Sequence, residues 1–164
     1  MPDGNVERLK RLLLEGFGGG DMSVVDEVVA EDLVEYQQGL PQGREGLKSV
    51  IRSLRRAFPD LSYTVVQMVA DEDKVWGHFR SRGTHEGTFM GQPPTGKPIG
   101  IDVIDIARFK DGLMSTGVFR TALVSFFNWG SSLQGGYPTL TYSWTASENP
   151  IQANLRVRSF HALW

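Results

Sequence analysis

The stretch PIGIDVIDIARFKDG, residues 98–112, is the one on which the fold class turns. Its β-branched residues alternate with others over Pro98–Lys110, the pattern of a long strand, and Asp111-Gly112 is a hairpin turn signal. Another antiparallel strand is therefore expected to begin near Met114. Alternation sets Ile101, Val103 and Asp105 on one face of the long strand and Asp102, Ile104 and Ile106 on the other. Each face thus carries one aspartate among aliphatic side chains. Upstream, Leu61–Ala70 and Lys74–Thr84 read as two more strands around the polar turn Asp71-Glu72-Asp73. A Gly/Pro-rich connection, Gly83 to Gly96, links the second of these to the long strand, with Phe89-Met90 as its apolar centre.

Helices come first. Val6, Leu9, Leu12, Leu13 and Phe17 recur at helical spacing until Gly18-Gly19-Gly20 stops them. Ser23 with Asp26 resembles a capping box for a short second helix to about Val29, and Leu33–Gln37 reads as a short strand. After Gly43, a third helix carries Leu47, Val50, Ile51, Leu54 and Phe58 as one stripe and ends at Pro59-Asp60. Helices followed by strands imply an α+β fold, with helices packed on one face of a curved antiparallel sheet.

The 164 residues suit one domain with a single core, and the absence of cysteine excludes disulfide scaffolds, thiolate metal sites and cysteine nucleophiles. A net charge of −2 argues against a nucleic-acid partner. No apolar run reaches membrane-spanning length, and the charged N-terminal segment is no signal peptide, so a cytoplasmic protein with no membrane partner is expected. Residues 1–113 hold 32 of the 36 charged side chains, whereas Ser plus Thr rises from 9 there to 12 in residues 114–164. A domain over 1–113 and an atypical segment over 114–164 follow from that break.

Gly91-Gln92-Pro93-Pro94-Thr95-Gly96-Lys97 has P-loop spacing, but Pro93 and Pro94 lack the N–H groups that cradle phosphate, and Pro98 replaces the magnesium-binding hydroxyl. It is a turn. His78, His85 and His161 lack metal-ligand spacing, so no metal is expected, and no G-x-S-x-G elbow is present. His85, on a turn, reads as an exposed loop residue. Asp105 is the more informative group: on a concave apolar face, desolvation raises a carboxyl pKa toward that of a general base working near neutrality. Pairing with an arginine, or a solvated sheet edge, accounts for it equally well from the residues alone. Glu35 is a second candidate with the same two explanations. Tyr36, Trp76, Phe79, Phe89 and Val103 are candidate walls of a substrate-binding pocket.

Three motifs occur in order: Ala57-Phe58-Pro59-Asp60-Leu61, the segment Gly83 to Lys97, and Ile104-Asp105-Ile106-Ala107-Arg108-Phe109-Lys110-Asp111-Gly112. Together, over about Val6 to Gly112, they resemble the SnoaL-like polyketide cyclase family. The resemblance implies a nuclear transport factor 2-like cone, a small-molecule substrate, no cofactor and a homodimer. It also implies intramolecular aldol cyclisation, in which a carboxylate removes an acidified C–H proton. The family's pocket asparagine falls at Glu35, its glutamine at Val103 and its histidine at Asp105. Its catalytic aspartate belongs a few residues past the Asp111-Gly112 turn, where this chain has Ser115, Thr116, Gly117 and Val118. The alternatives are an isomerase or epoxide hydrolase on the same scaffold, or a non-catalytic ligand-binding or assembly module.

The departure has a legible form. Reading the codons from Met114 onward in a shifted frame permits E-(Y/H)-W-G-V-P-D followed by R-L-G-V-L-L-Q-L-G, the family's usual last strand and helix. Trp129 before Gly130 allows only glycine in that frame, and Phe127 before Asn128 only glutamine or stop. Residues from about Met114 are accordingly read as a frameshifted family C-terminus.

Overall fold

A computed structural model describes residues 2–36 and 39–121, without the side chains of 2 and 118–121. The first helix, α1 (Pro2–Arg11), runs on into a π-helical segment, Leu12–Gly18. Its wider turn shows in the Gly19 N–H donating to the Leu14 carbonyl at 3.0 Å, five residues back. The segment turns Leu12, Leu13, Gly16 and Phe17 inward together. The second helix, α2 (Met22–Val28), is capped by Asp21, whose carboxylate accepts from Ser23 N–H at 2.9 Å. The capping box expected at Ser23 therefore starts two residues earlier, with the aspartate taking the cap position. Strand β1 (Val29–Glu35), helix α3 (Gly43–Ala57) and strands β2 (Ser62–Asp71), β3 (Lys74–Thr84), β4 (Pro98–Lys110) and β5 (Leu113–Thr121) complete the described elements.

The sheet order is β1-β5-β4-β3-β2. Strands β2 to β5 pair antiparallel, as their hairpin turns dictate. Asp111 and Gly112 both take positive φ, 52° and 78°, the geometry that a two-residue hairpin requires. Strand β1 differs: it joins β5 in parallel, Glu35 opposite Gly117, which makes the sheet mixed rather than wholly antiparallel. Register shifts interrupt the ladders at 65/67 and 108/109 and along β1, and such bulges bend strands.

One face of the sheet carries the core. Leu9, Leu12, Leu13 and Phe17 from the first helical run, Val24, Val25 and Val28 from α2, and Leu47 and Ile51 from α3 pack with Val75, Phe79, Ala107, Phe109 and Met114. Burying each such side chain contributes about 1.5–3 kcal/mol, so this one cluster dominates stability. Ala57, Phe58 and Leu61 form a second, smaller cluster that takes in Phe89 and Ile99. Strand β5 runs across the composition break at residue 113 and fills the slot between β1 and β4. The rest of the atypical segment, residues 122–164, lies outside the described residues. No helix among the described residues is long and apolar enough to cross a membrane.

Candidate active site

Alternation on β4 resolves the two aspartates. Asp102 points away from the core and holds ion pairs with His78 and Arg80, each at 3.2 Å. The arginine-paired explanation thus belongs to Asp102. Asp105 faces the other way, in line with buried Val103 and Ala107, and is 2% exposed. Both of its carboxylate oxygens are buried with no hydrogen-bond partner among the described residues. Burial, with the neighbouring Glu35 charge adding to it, pushes the Asp105 carboxyl well above its ordinary range.

The sequence around Asp105 makes the space that surrounds it. Its partner across the β3–β4 ladder is Gly77. The Phe79 ring folds over that glycine: a Cβ at position 77 would lie 2.3 Å from Phe79 Cε2 and 2.8 Å from Cζ. Phe79 is itself fully buried and opposite Val103. On the other side, Ala107 faces Gly117 of β5, and Gly117 faces Glu35 of β1. Glu35 is 5% exposed, and its Oε2 would lie 3.4 Å from a Cβ on Gly117. The Gln42 side-chain amide fixes the end of β1 by bonding both backbone groups of Glu35, accepting from its N–H and donating to its carbonyl, each at 2.8 Å. The two carboxylates named from the sequence therefore meet across the small residues of β5.

Phe79 and Val103 join them, while the other three named wall residues do not. Trp76 lies opposite Ile106 and Val69 on the outer face of the sheet, because it is one residue out of phase with the buried Val75 and Gly77. Tyr36 is 61% exposed, one position past Glu35 and so on the opposite side of the chain. Phe89 packs against Phe58, ring centroids 5.2 Å apart, in the second cluster. His85 is also a correction. It is fully buried rather than exposed, with its ring 5.3 Å from that of Phe58. Its backbone anchors the long connection, donating to the Lys97 carbonyl and accepting from Thr95 and Gly96. Burial lowers the His85 pKa, and a backbone hydrogen bond at Gly87 works against that.

One residue of the site was not singled out from the sequence. Tyr63 on β2 faces the core, half-buried, edge-on to Phe17 at 6.0 Å. Burial pushes its hydroxyl pKa up, and the Asp105 charge adds to the shift. The available signal was its position on the inner face of the expected 61–70 strand. No group of three or more His, Cys, Asp or Glu among the described residues is placed to hold a metal ion.

A fold of helices on a bent sheet, with a desolvated carboxylate on the covered face, defines a small α+β scaffold of the kind that encloses small molecules. The family model for SnoaL-like polyketide cyclases matches residues 7–116, and the chain belongs to that family. Among solved structures, TsrD from Streptomyces laurentii is similar with a TM-score of 0.72 at 23% identity, covering 78% of this chain and 96% of that one. A provisionally assigned SnoaL-like polyketide cyclase from Jannaschia sp. CCS1 gives 0.70 at 25% identity, covering 77% and 91%. IdmH from Streptomyces antibioticus, provisionally assigned as a polyketide cyclase, gives 0.67 at 29% identity, covering 76% and 96%. No curated protein matches the chain.

Proposed function

We propose that this chain is a cofactor-free acid–base catalyst, acting on a polyketide-like small molecule by intramolecular aldol cyclisation. Asp105 is the proton-transfer group. The observation that carries this reading is a carboxyl group enclosed on an apolar face with neither oxygen bonded among the described residues. A carboxylate in that setting costs stability and has no structural partner to justify it. Its raised pKa suits removal of a proton from carbon near neutral pH. Glu35, across Gly117, keeps that pKa raised through its charge. Phe79 and Val103 supply apolar surface beside the reacting group.

The proposal extends to a homodimer. Its support is the outer face of the sheet, where Val66 and Val69 are about half exposed beside Trp76. Sedimentation at micromolar concentration is expected to give twice the chain mass, and a monomer would exclude it.

The test of the chemistry is the proton-abstraction half of the reaction. With 2-tetralone, an enolisable fused-ring ketone, in deuterium oxide, the protein is expected to accelerate exchange of the benzylic hydrogens next to the carbonyl, followed by proton NMR. Asp105→Asn is expected to return the rate to that of buffer. Exchange that is equally fast in Asp105→Asn removes Asp105 from the mechanism.

A further inference from the structure

Asp105 can take a proton from carbon, but the negative charge then appears on the neighbouring carbonyl oxygen. That oxygen needs a donor. Among the described residues the inner face offers few polar groups, and most are engaged. The Ser81 hydroxyl donates to the Ile101 carbonyl, and Lys48 is held by Asp26 and Glu45. The Tyr63 hydroxyl makes no hydrogen bond among the described residues, although its ring is held firmly. Phe17 meets the ring edge-on at 6.0 Å, and a Cβ on Gly18 would sit 3.7 Å from Tyr63 Cδ2. The absence of a side chain at Gly18 is what admits the ring there.

The sheet register relates Tyr63 to Asp105. Phe79 lies opposite Val65 on β2 and opposite Val103 on β4. Tyr63 is two residues before Val65, and Asp105 two residues after Val103. Since β2 and β4 each run antiparallel to β3, the two residues stand at opposite corners of a patch centred on Phe79. At the backbone they are offset by roughly 13 Å along the strands and about 10 Å across them. The long phenol spans much of that diagonal, and its hydroxyl responds to the Asp105 charge.

Resting on the assignment of Asp105 as base, we propose that Tyr63 is the second catalytic group, its hydroxyl donating a hydrogen bond to the carbonyl oxygen that becomes an enolate. The step balances without a co-reactant. The C–H electron pair forms the C=C bond, the carbonyl π pair moves to oxygen under the Tyr63 O–H, and the proton goes to Asp105. Reversal, after Asp105 exchanges its proton with solvent, returns the ketone. The substrate is thereby a ketone whose carbonyl is adjacent to the reacting carbon and faces β2, with an apolar ring or chain over Phe79.

The experiment pairs 2-tetralone exchange with binding of 2-naphthol, the aromatic counterpart of its enol, followed by fluorescence. Tyr63→Phe removes only an oxygen that bonds nothing in the protein and is expected to melt within a few degrees of the parent. Exchange is expected to fall roughly 100-fold, the usual size for one lost oxyanion donor. Affinity for 2-naphthol is expected to fall about tenfold, with the pH limb of exchange kept where Asp105 sets it. Asp105→Asn is expected to abolish exchange while retaining 2-naphthol within about threefold. Replacing Tyr63 by 3-fluorotyrosine, equal in shape with a more acidic hydroxyl, is expected to change the exchange rate at constant melting temperature.

Exchange in Tyr63→Phe within twofold of the parent overturns the role of Tyr63 and leaves Asp105 in place. Slow exchange with unchanged 2-naphthol affinity and a displaced pH limb also overturns it, since that marks a structural effect. A parent protein no faster than buffer overturns the Asp105 reading and this one with it.

Discussion

Glu35 and Asp105 come from strands that are not neighbours, yet each carboxylate lies within electrostatic reach of the other because β5 places Gly117 between β1 and β4. The Glu35 charge is one of the two causes that hold Asp105 above its ordinary range. Glu35→Gln removes that charge and keeps the shape. The acid limb of the exchange-versus-pH profile is then expected to move to lower pH, because Asp105 ionises more readily. An unmoved limb would show that burial alone sets the value.

Asp105 also makes a prediction for stability. Its folded pKa lies above its unfolded value near 3.8, so the folded protein retains a proton that the unfolded chain has already lost. Stability therefore falls as pH rises from about 3.8 through the raised folded value. Asp105→Asn removes this penalty. Thermal melts are expected to show the variant more stable at pH 8, by about 1–3 kcal/mol, with the gap shrinking toward pH 4. A gap that widens on acidification contradicts the assignment.

Gly77→Ala tests the packing that covers Asp105. The new methyl would stand 2.3 Å from the Phe79 ring, so one of them must move. Destabilisation of about 1–3 kcal/mol is expected, the usual cost of overpacking. Adding Phe79→Leu, which frees the occupied space, is expected to recover part of it in a double-mutant cycle. Additive losses would mean that the ring does not rest on Gly77.

His85 gives the opposite pH signature. Its folded pKa is depressed by burial below 6.5, so the unfolded chain takes up a proton that the folded protein refuses. The stability it contributes is present above pH 6.5 and is lost as pH falls through the folded value. His85→Phe, which keeps the contact with Phe58, is expected to flatten this part of the acid unfolding curve. An unchanged acid limb would place the sensitivity elsewhere.

The frameshift reading has a direct check in the coding DNA across residues 110–136. The third bases there are expected to permit E-(Y/H)-W-G-V-P-D, and bases that forbid it would falsify the reading. With its glutamate counted at 115, that segment puts its aspartate at 121, the position opposite Val103 and one inner-face pair along from Asp105–Phe119. A chain rebuilt in that frame is expected to gain 2-tetralone exchange and to melt higher than this one.

Local signals carried most of the fold. The bounds of β3 and β4, the start of α3 and the Asp111-Gly112 turn were visible because each rests on periodicity or turn chemistry within a dozen residues. The parallel pairing of β1 with β5 was not, since nothing local in residues 29–35 specifies a partner some eighty residues away. In the site, alternation put Asp105 and Val103 on one face, and the family resemblance favoured that face as the pocket side. Trp76 was misplaced because aromatic character says nothing about phase, and the buried glycine Gly77 conceals the inner face of β3 from a hydrophobicity pattern. Tyr63 went unnoticed for a related reason: a phenol on a half-buried strand looks like any core aromatic until its hydroxyl is found without a bond.

The strand order has a consequence for how the chain is made. The strand synthesised last occupies an interior slot of the sheet, so on the ribosome β1 waits with its pairing edge open until residue 121 has emerged. Helices α1 to α3 and the β2–β3–β4 meander can assemble earlier from neighbouring contacts, but Glu35 acquires its place only when β5 arrives. Any error in translation past residue 114 strikes the keystone of the sheet, and with it the side of the site that Glu35 provides.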